Sequence, residues 1–244
     1  MKTCHLKAIV AGAAVIISGN LGVRADLLYQ NNTTQTGAIL SGFDNGQEIG
    51  QQIWLGTSLA EYLTSFSFEY YSSDTSWSGT VYAEVRLYEN DSTTLFNGYA
   101  TPGTLFYDSG QVVFENPTVA TGGSTSVATF DLSDLLSPSS GGTALDQNFV
   151  LPSDFTFTVT FYGLSEGETV GLTIYEPPTY GTNYGDYWYD TTGGWELLTN
   201  SVSVGFGAVF NGSTTPTPEP SVLCLGALGG MALAAYARRR QRRG

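Results

Sequence analysis

The chain has 244 residues with 13% charged side chains, 13% aromatics and 30 glycines, a profile that suits strands and turns better than helices. Eight of its nine Lys and Arg lie in the two ends, so residues 26–217 set Arg86 alone against 21 carboxylates, a balance that repels phosphate backbones and excludes nucleic acid as a partner. The same stretch has no His, Cys, Met or Lys, which excludes Ser-His-Asp and Cys-His catalysis, thiolate or imidazole metal sites, Schiff-base chemistry and a disulfide framework.

At the start, Lys2, His5 and Lys7 precede an apolar run over 8–17. Val23-Arg24-Ala25 then puts a β-branched residue and an alanine at the third and first positions before a cut between Ala25 and Asp26. Residues 1–25 are therefore expected to be a secretory signal peptide, with a short helical apolar core. Cys4 lies ahead of the apolar run, whereas lipid attachment would require a cysteine at the cut.

Residues 26–211 read as one acidic domain. Alternation is clearest over 63–71, where Phe66, Phe68 and Tyr70 share one face and Ser65, Ser67 and Glu69 the other. It recurs over 79–89 and 155–161, and implies one buried and one wet face. Further strands are expected at 48–55, 103–107, 111–114, 126–130, 168–175, 195–198 and 202–210, with a helical turn near 132–136. Gly, Asn, Asp and Ser clusters separate them. About ten short strands with regular turns predict an all-β fold, a single antiparallel β-sandwich of jelly-roll-like form.

Four features of this domain bear on chemistry. Tyr180, Tyr184, Tyr187, Trp188, Tyr189 and Trp195 are interleaved with Gly, Asp186 and Asp190, and flat rings beside carboxylates can stack on sugars and accept their hydroxyl protons, which makes exopolysaccharide a candidate partner. The plainer reading packs these rings at one end of the sandwich. Arg86 shares a face with Glu84 and Tyr88 and is expected to hold an ion pair or stack on a ring. Carboxylates crowd the turns at 89–91 and 166–168, where calcium is a candidate ligand, though no EF-hand or repeat is present and no cofactor is otherwise expected. No motif singles out a pair of acids for glycoside hydrolysis, so the domain reads as non-enzymatic.

Residues 212–217 form a Pro/Thr linker that favours extended backbone. Residues 221–237 carry no charge, and as a helix 222–237 would span about 24 Å, a short but sufficient membrane crossing. Arg238, Arg239, Arg240, Arg242 and Arg243 follow and are expected to stay in the cytoplasm, leaving the domain outside it.

Pro218-Glu219-Pro220, an apolar helix and a terminal Arg cluster in that order resemble the PEP-CTERM sorting signal, over about the last 27 residues. The resemblance implies recognition and processing by an exosortase-type membrane enzyme and delivery to the cell surface or the extracellular matrix of a biofilm. The piece from Thr80 to Asn90, with its Val-Arg-Leu-Tyr-Glu-Asn-Asp run, and the segment 102–110 also resemble a β-sandwich body that recurs on such proteins, which implies a fold but no activity. Ice binding, a label such tails attract by association, calls for a flat Thr-bearing ladder, and no repeat of that kind occurs.

Overall fold

A computed structural model of the protein describes residues 25–41, 45–74, 76–114, 124–199 and 203–216. The expected signal peptide apart from Ala25, and the tail with Pro218, Glu219, Pro220, Arg238, Arg239 and Arg240, lie outside these residues. Among the described residues no helix is long and apolar enough to cross a membrane.

In chain order the strands are β1 (Asp26–Asn31), β2 (Gln35–Ser41), β3 (Glu48–Trp54), β4 (Tyr62–Ser72), β5 (Val81–Glu89), β6 (Leu95–Phe96), β7 (Tyr99–Ala100), β8 (Leu105–Asp108), β9 (Val112–Phe114) and β10 (Ser124–Phe130). Helix α1 (Leu132–Leu136) follows, then β11 (Asp154–Tyr162), β12 (Val170–Tyr175), β13 (Thr182–Asn183), β14 (Tyr187–Thr191), β15 (Gly194–Leu198) and β16 (Ala208–Ser213). Every pairing between them is antiparallel.

In the first sheet, β10 covers residues 66–72 along one edge of β4. The pairings of β16 with 62–68 and of β12 with 70–72 must therefore share the other edge, with β1 beyond β16 and β2 beyond β12. The second sheet runs β15-β14-β3-β11-β5, and β8 and β9 lie end to end along the far edge of β5. The β6–β7 hairpin pairs only with itself.

The two sheets face each other across aromatic rings. Phe155 and Phe157 of β11 meet Phe210 of β16 at centroid distances of 5.2 and 5.5 Å, while Phe66 stacks on Phe130 at 4.7 Å and on Phe210 at 5.5 Å. Each fully buried ring contributes about 1.5–3 kcal/mol through burial and about 0.5–1.5 kcal/mol more through ring pairing. A core of this kind suffices for a domain whose sequence, residues 26–211, contains no cysteine.

The alternation over 63–71 puts Phe66, Phe68 and Tyr70 in the core, as expected. Strand β11 departs from expectation. Its inward Phe155, Phe157, Val159 and Phe161 are buried, but Thr156, Thr158 and Thr160 on the opposite face are buried too. The outer face of the second sheet is thus not wet at its centre, because long side chains from β3 and β5 close over it.

Helix α1 spans the expected 132–136. Asp131 caps it by accepting from Ser133 and Asp134 N–H, and Asp134 answers by accepting from Asp131 N–H at 2.9 Å. Strands β1, β2, β6, β7, β13 and β14 were not expected. The strand expected over 202–210 begins only at Ala208, and β16 continues to Ser213, two residues into the expected linker.

Candidate functional site

The outer face of the second sheet gathers most of the domain's chemistry. Residues facing outward on β3, β11 and β5 are set by register, which aligns Thr158 with Arg86 and Arg86 with Asp108, and Thr160 with both Glu48 and Glu84. Arg86 stands at the centre. Its Nη1 reaches Glu48 Oε2 at 2.7 Å, Nη2 reaches Glu84 Oε1 at 2.8 Å and Nε reaches Asp108 Oδ2 at 2.9 Å.

The other oxygens of these acids are also engaged. Glu48 Oε1 accepts from the Tyr88 hydroxyl at 3.0 Å and from Thr158 Oγ1, Glu84 Oε2 accepts from the Tyr162 hydroxyl at 2.7 Å, and Asp108 Oδ1 accepts from Gly110 N–H at 2.7 Å. Burial alone would lower the Arg86 pKa, but Asp108, Glu48, Tyr88 and Glu84 outweigh it and hold the guanidinium charged. Burial and the hydrogen bond to Glu84 push the Tyr162 hydroxyl up to about 12. With every carboxylate oxygen engaged, the cluster clamps four strands together. The ion pair expected for Arg86 is present with Glu84, and Glu48 and Asp108 join it.

Beside the clamp lies an aromatic group. Tyr184 meets Trp54 and Tyr99 edge-on, each at 4.4 Å, so the β6–β7 hairpin folds its Tyr99 toward the outer end of β3. Gln51 fixes the backbone here, since its side chain points inward and donates to Tyr184 O at 2.9 Å and to Val204 O while accepting from Phe206 N–H at 2.9 Å. Next to these rings, Asp154 Oδ2 accepts from Gln52 Nε2 and from Asn90 Nδ2, both at 2.9 Å, and Asn90 Oδ1 accepts from Thr156. Burial, then Tyr99 and Asp154, raise the Tyr184 pKa, so its hydroxyl stays a donor. Rings beside amides and a carboxylate form a surface suited to a hydroxyl-rich ligand.

The six aromatics singled out in the sequence do not form one surface. Tyr187 belongs to the core, 6.1 Å from Phe206. Trp188 faces outward opposite Gly50 but is only 1% exposed, and Gly50 has no room for a side chain because a Cβ would lie 2.5 Å from Thr158 Cγ2. Tyr189 packs on the core and its hydroxyl accepts from Gln47. Trp195 meets Tyr88 edge-on at 5.7 Å. Tyr180, 37% exposed, lines an open hollow with Leu55, Thr57 and Ser58. Tyr184 alone joins the aromatic group above. Its partners Trp54 and Tyr99, with Gln52, Asn90 and Asp154, were missed, although Glu48, Gln52 and Trp54 alternate with Ile49 and Ile53 in the sequence.

The acidic turns hold themselves. Asp91 accepts from Thr104 N–H at 2.7 Å and Thr104 Oγ1 at 2.6 Å, and Glu168 accepts from Ser165 N–H at 2.8 Å and from Ser78 N–H, contacts that lower both carboxyl pKa values. Among the described residues no three acidic, His or Cys side chains converge to hold a metal ion. Asp26 opens β1 opposite Gly212, with Ala25 exposed before it.

No protein-family model, curated protein or solved structure matches this chain.

Proposed function

We propose that this is an exported protein of the cell envelope or extracellular matrix, secreted by its amino-terminal signal and sorted by an exosortase-type enzyme through the Pro218-Glu219-Pro220 tail, with a non-enzymatic body. The observation that carries the reading is the segregation of cations, eight of nine at the two ends around apolar runs, with an acidic domain between them. That arrangement leaves the domain beyond the bilayer by the positive-inside rule. The Arg86 clamp agrees with a structural body, since its carboxylates are spent on one another's strands. The orders β2-β12-β4-β10 and β3-β11-β5-β8 support a jelly roll, with β1, β16, β14 and β15 as additions. Fractionation of the native host with antibody to the body tests the proposal. It is expected in the envelope or the medium, and full-length chain in the soluble interior would contradict it.

A second reading is favoured by the Trp54, Tyr99 and Tyr184 rings beside Asp154, Asn90 and Gln52. They suit an exopolysaccharide ligand, and a neutral one, because the body's charge repels polyanions. Affinity electrophoresis in gels holding a panel of neutral polysaccharides should retard the protein, and Trp54→Ala and Tyr184→Ala should each restore its free mobility. Mobility unchanged across the panel would remove this reading.

A further inference from the structure

Glu61 stands immediately before β4, is 2% exposed, and has its Oε2 buried without a hydrogen-bond partner. Its backbone carbonyl accepts from Leu151 N–H at 2.8 Å, which fixes the residue at the end of the sandwich. A buried carboxylate stays ionised only beside a counter-charge. Arg86 is the one Lys or Arg among the described residues and is held by three other acids.

A second acid acts on Glu61 through its charge. Asp26 of β1 pairs with Gly212 of β16, and Gly212 pairs with Leu63 of β4, two residues beyond Glu61. Gly212 has no side chain, and a Cβ there would lie 2.5 Å from Leu28 Cδ1 and 3.0 Å from Tyr62 O, so Leu28 of β1 and Tyr62 of β4 close around it. Burial, and then the charge of Asp26, raise the Glu61 pKa above the ordinary glutamate value. Among the described residues no ion pair reaches Glu61.

We propose that Glu61 is the receptor for the mature amino terminus, pairing with the α-ammonium that signal removal creates on Asp26. The inference rests on the signal-peptide reading. An envelope peptidase hydrolyses the Ala25–Asp26 amide. Water gives its hydroxyl to the Ala25 carboxyl and a hydrogen to the Asp26 nitrogen, which takes up a proton and becomes a cation at the residue that had contributed only negative charge. The precursor lacks this charge, so processing completes the fold at its edge.

The mature chain has a chemical advantage for testing this. Lys2 and Lys7 are the only lysines, both are removed with the signal, and the α-amine is then the one amine left to acetylate. Protein purified from the envelope of the exporting host is first weighed intact, then treated with an acetylating reagent at neutral pH. An amine paired with Glu61 should react about tenfold more slowly than in Glu61→Gln, because one pKa unit changes the free-base fraction about tenfold. Equal rates in the two proteins would overturn the proposal. Should Glu61→Gln fail to fold, the pH dependence of acetylation in the wild type decides, with an amine pKa raised above the ordinary value of about 8 supporting the pair and an unshifted one overturning it. An amino terminus other than Asp26 would contradict the signal-peptide reading itself, whereas an Asp26 terminus with an ordinary amine would contradict only the ion pair.

Discussion

Arg86 shows what a single residue does in a domain almost free of cations. Its guanidinium joins β3, β5 and β8 through Glu48, Glu84 and Asp108, all three buried. Arg86→Leu removes the cation and leaves these acids to repel one another in a poorly hydrated setting, a change expected to destabilise the fold by about 3–5 kcal/mol. Urea unfolding at neutral pH measures it, and Arg86→Lys should fall between, since an ammonium cannot reproduce the planar fork. The alternation of 79–89 already placed Arg86 with Glu84 and Tyr88 on one face. Glu48 and Asp108 could not be read beside it, because they come from strands 38 residues before and 22 after, and strand register is not written in any one segment.

At the scale of elements, α1 is fixed by its own sequence. Asp131 and Asp134 cap it reciprocally, so Asp131→Ala should cost about 1 kcal/mol at neutral pH. The Ser133 hydroxyl, followed by Asp134 and Ser133 N–H, holds the Asp131 carboxyl below its ordinary value. Its folded pKa is depressed, so the contribution is present above the unfolded value and is lost as pH falls through the folded one. Urea midpoints of wild type and Asp131→Ala should therefore differ at neutral pH and converge as pH falls through the folded value. A gap that persists in acid would mean the cap acts by something other than its charge.

Elements with strong alternation, β4, β5 and β11, were legible for the same local reason as α1. Strand β2 was not, because Gln35-Thr-Gly-Ala is polar and exposed and shows no period-two pattern. Strand β14 was hidden differently. Tyr187, Trp188 and Tyr189 carry apolar bodies and polar tips, so their sequence fits a wet loop as well as a strand. Only the pairing with Gly50 and Ile49 separates the inward rings from the outward one, and it moves the candidate sugar-facing surface from the loop to Trp54, Tyr99 and Tyr184.

Across the whole molecule the decisive feature is where charge and apolar surface are put. The all-β class followed from composition and turn spacing, while the partition of strands between two sheets required long-range pairing that no local pattern encodes. The domain carries an acidic exterior and a ring-filled core, and it is bounded by two cation-flanked apolar segments. Intact mass of the protein taken from its native host tests this account most directly. A chain that begins at Asp26 and ends near Pro218 is the predicted result; a full-length chain that begins at Met1 and retains its terminal arginines would contradict it.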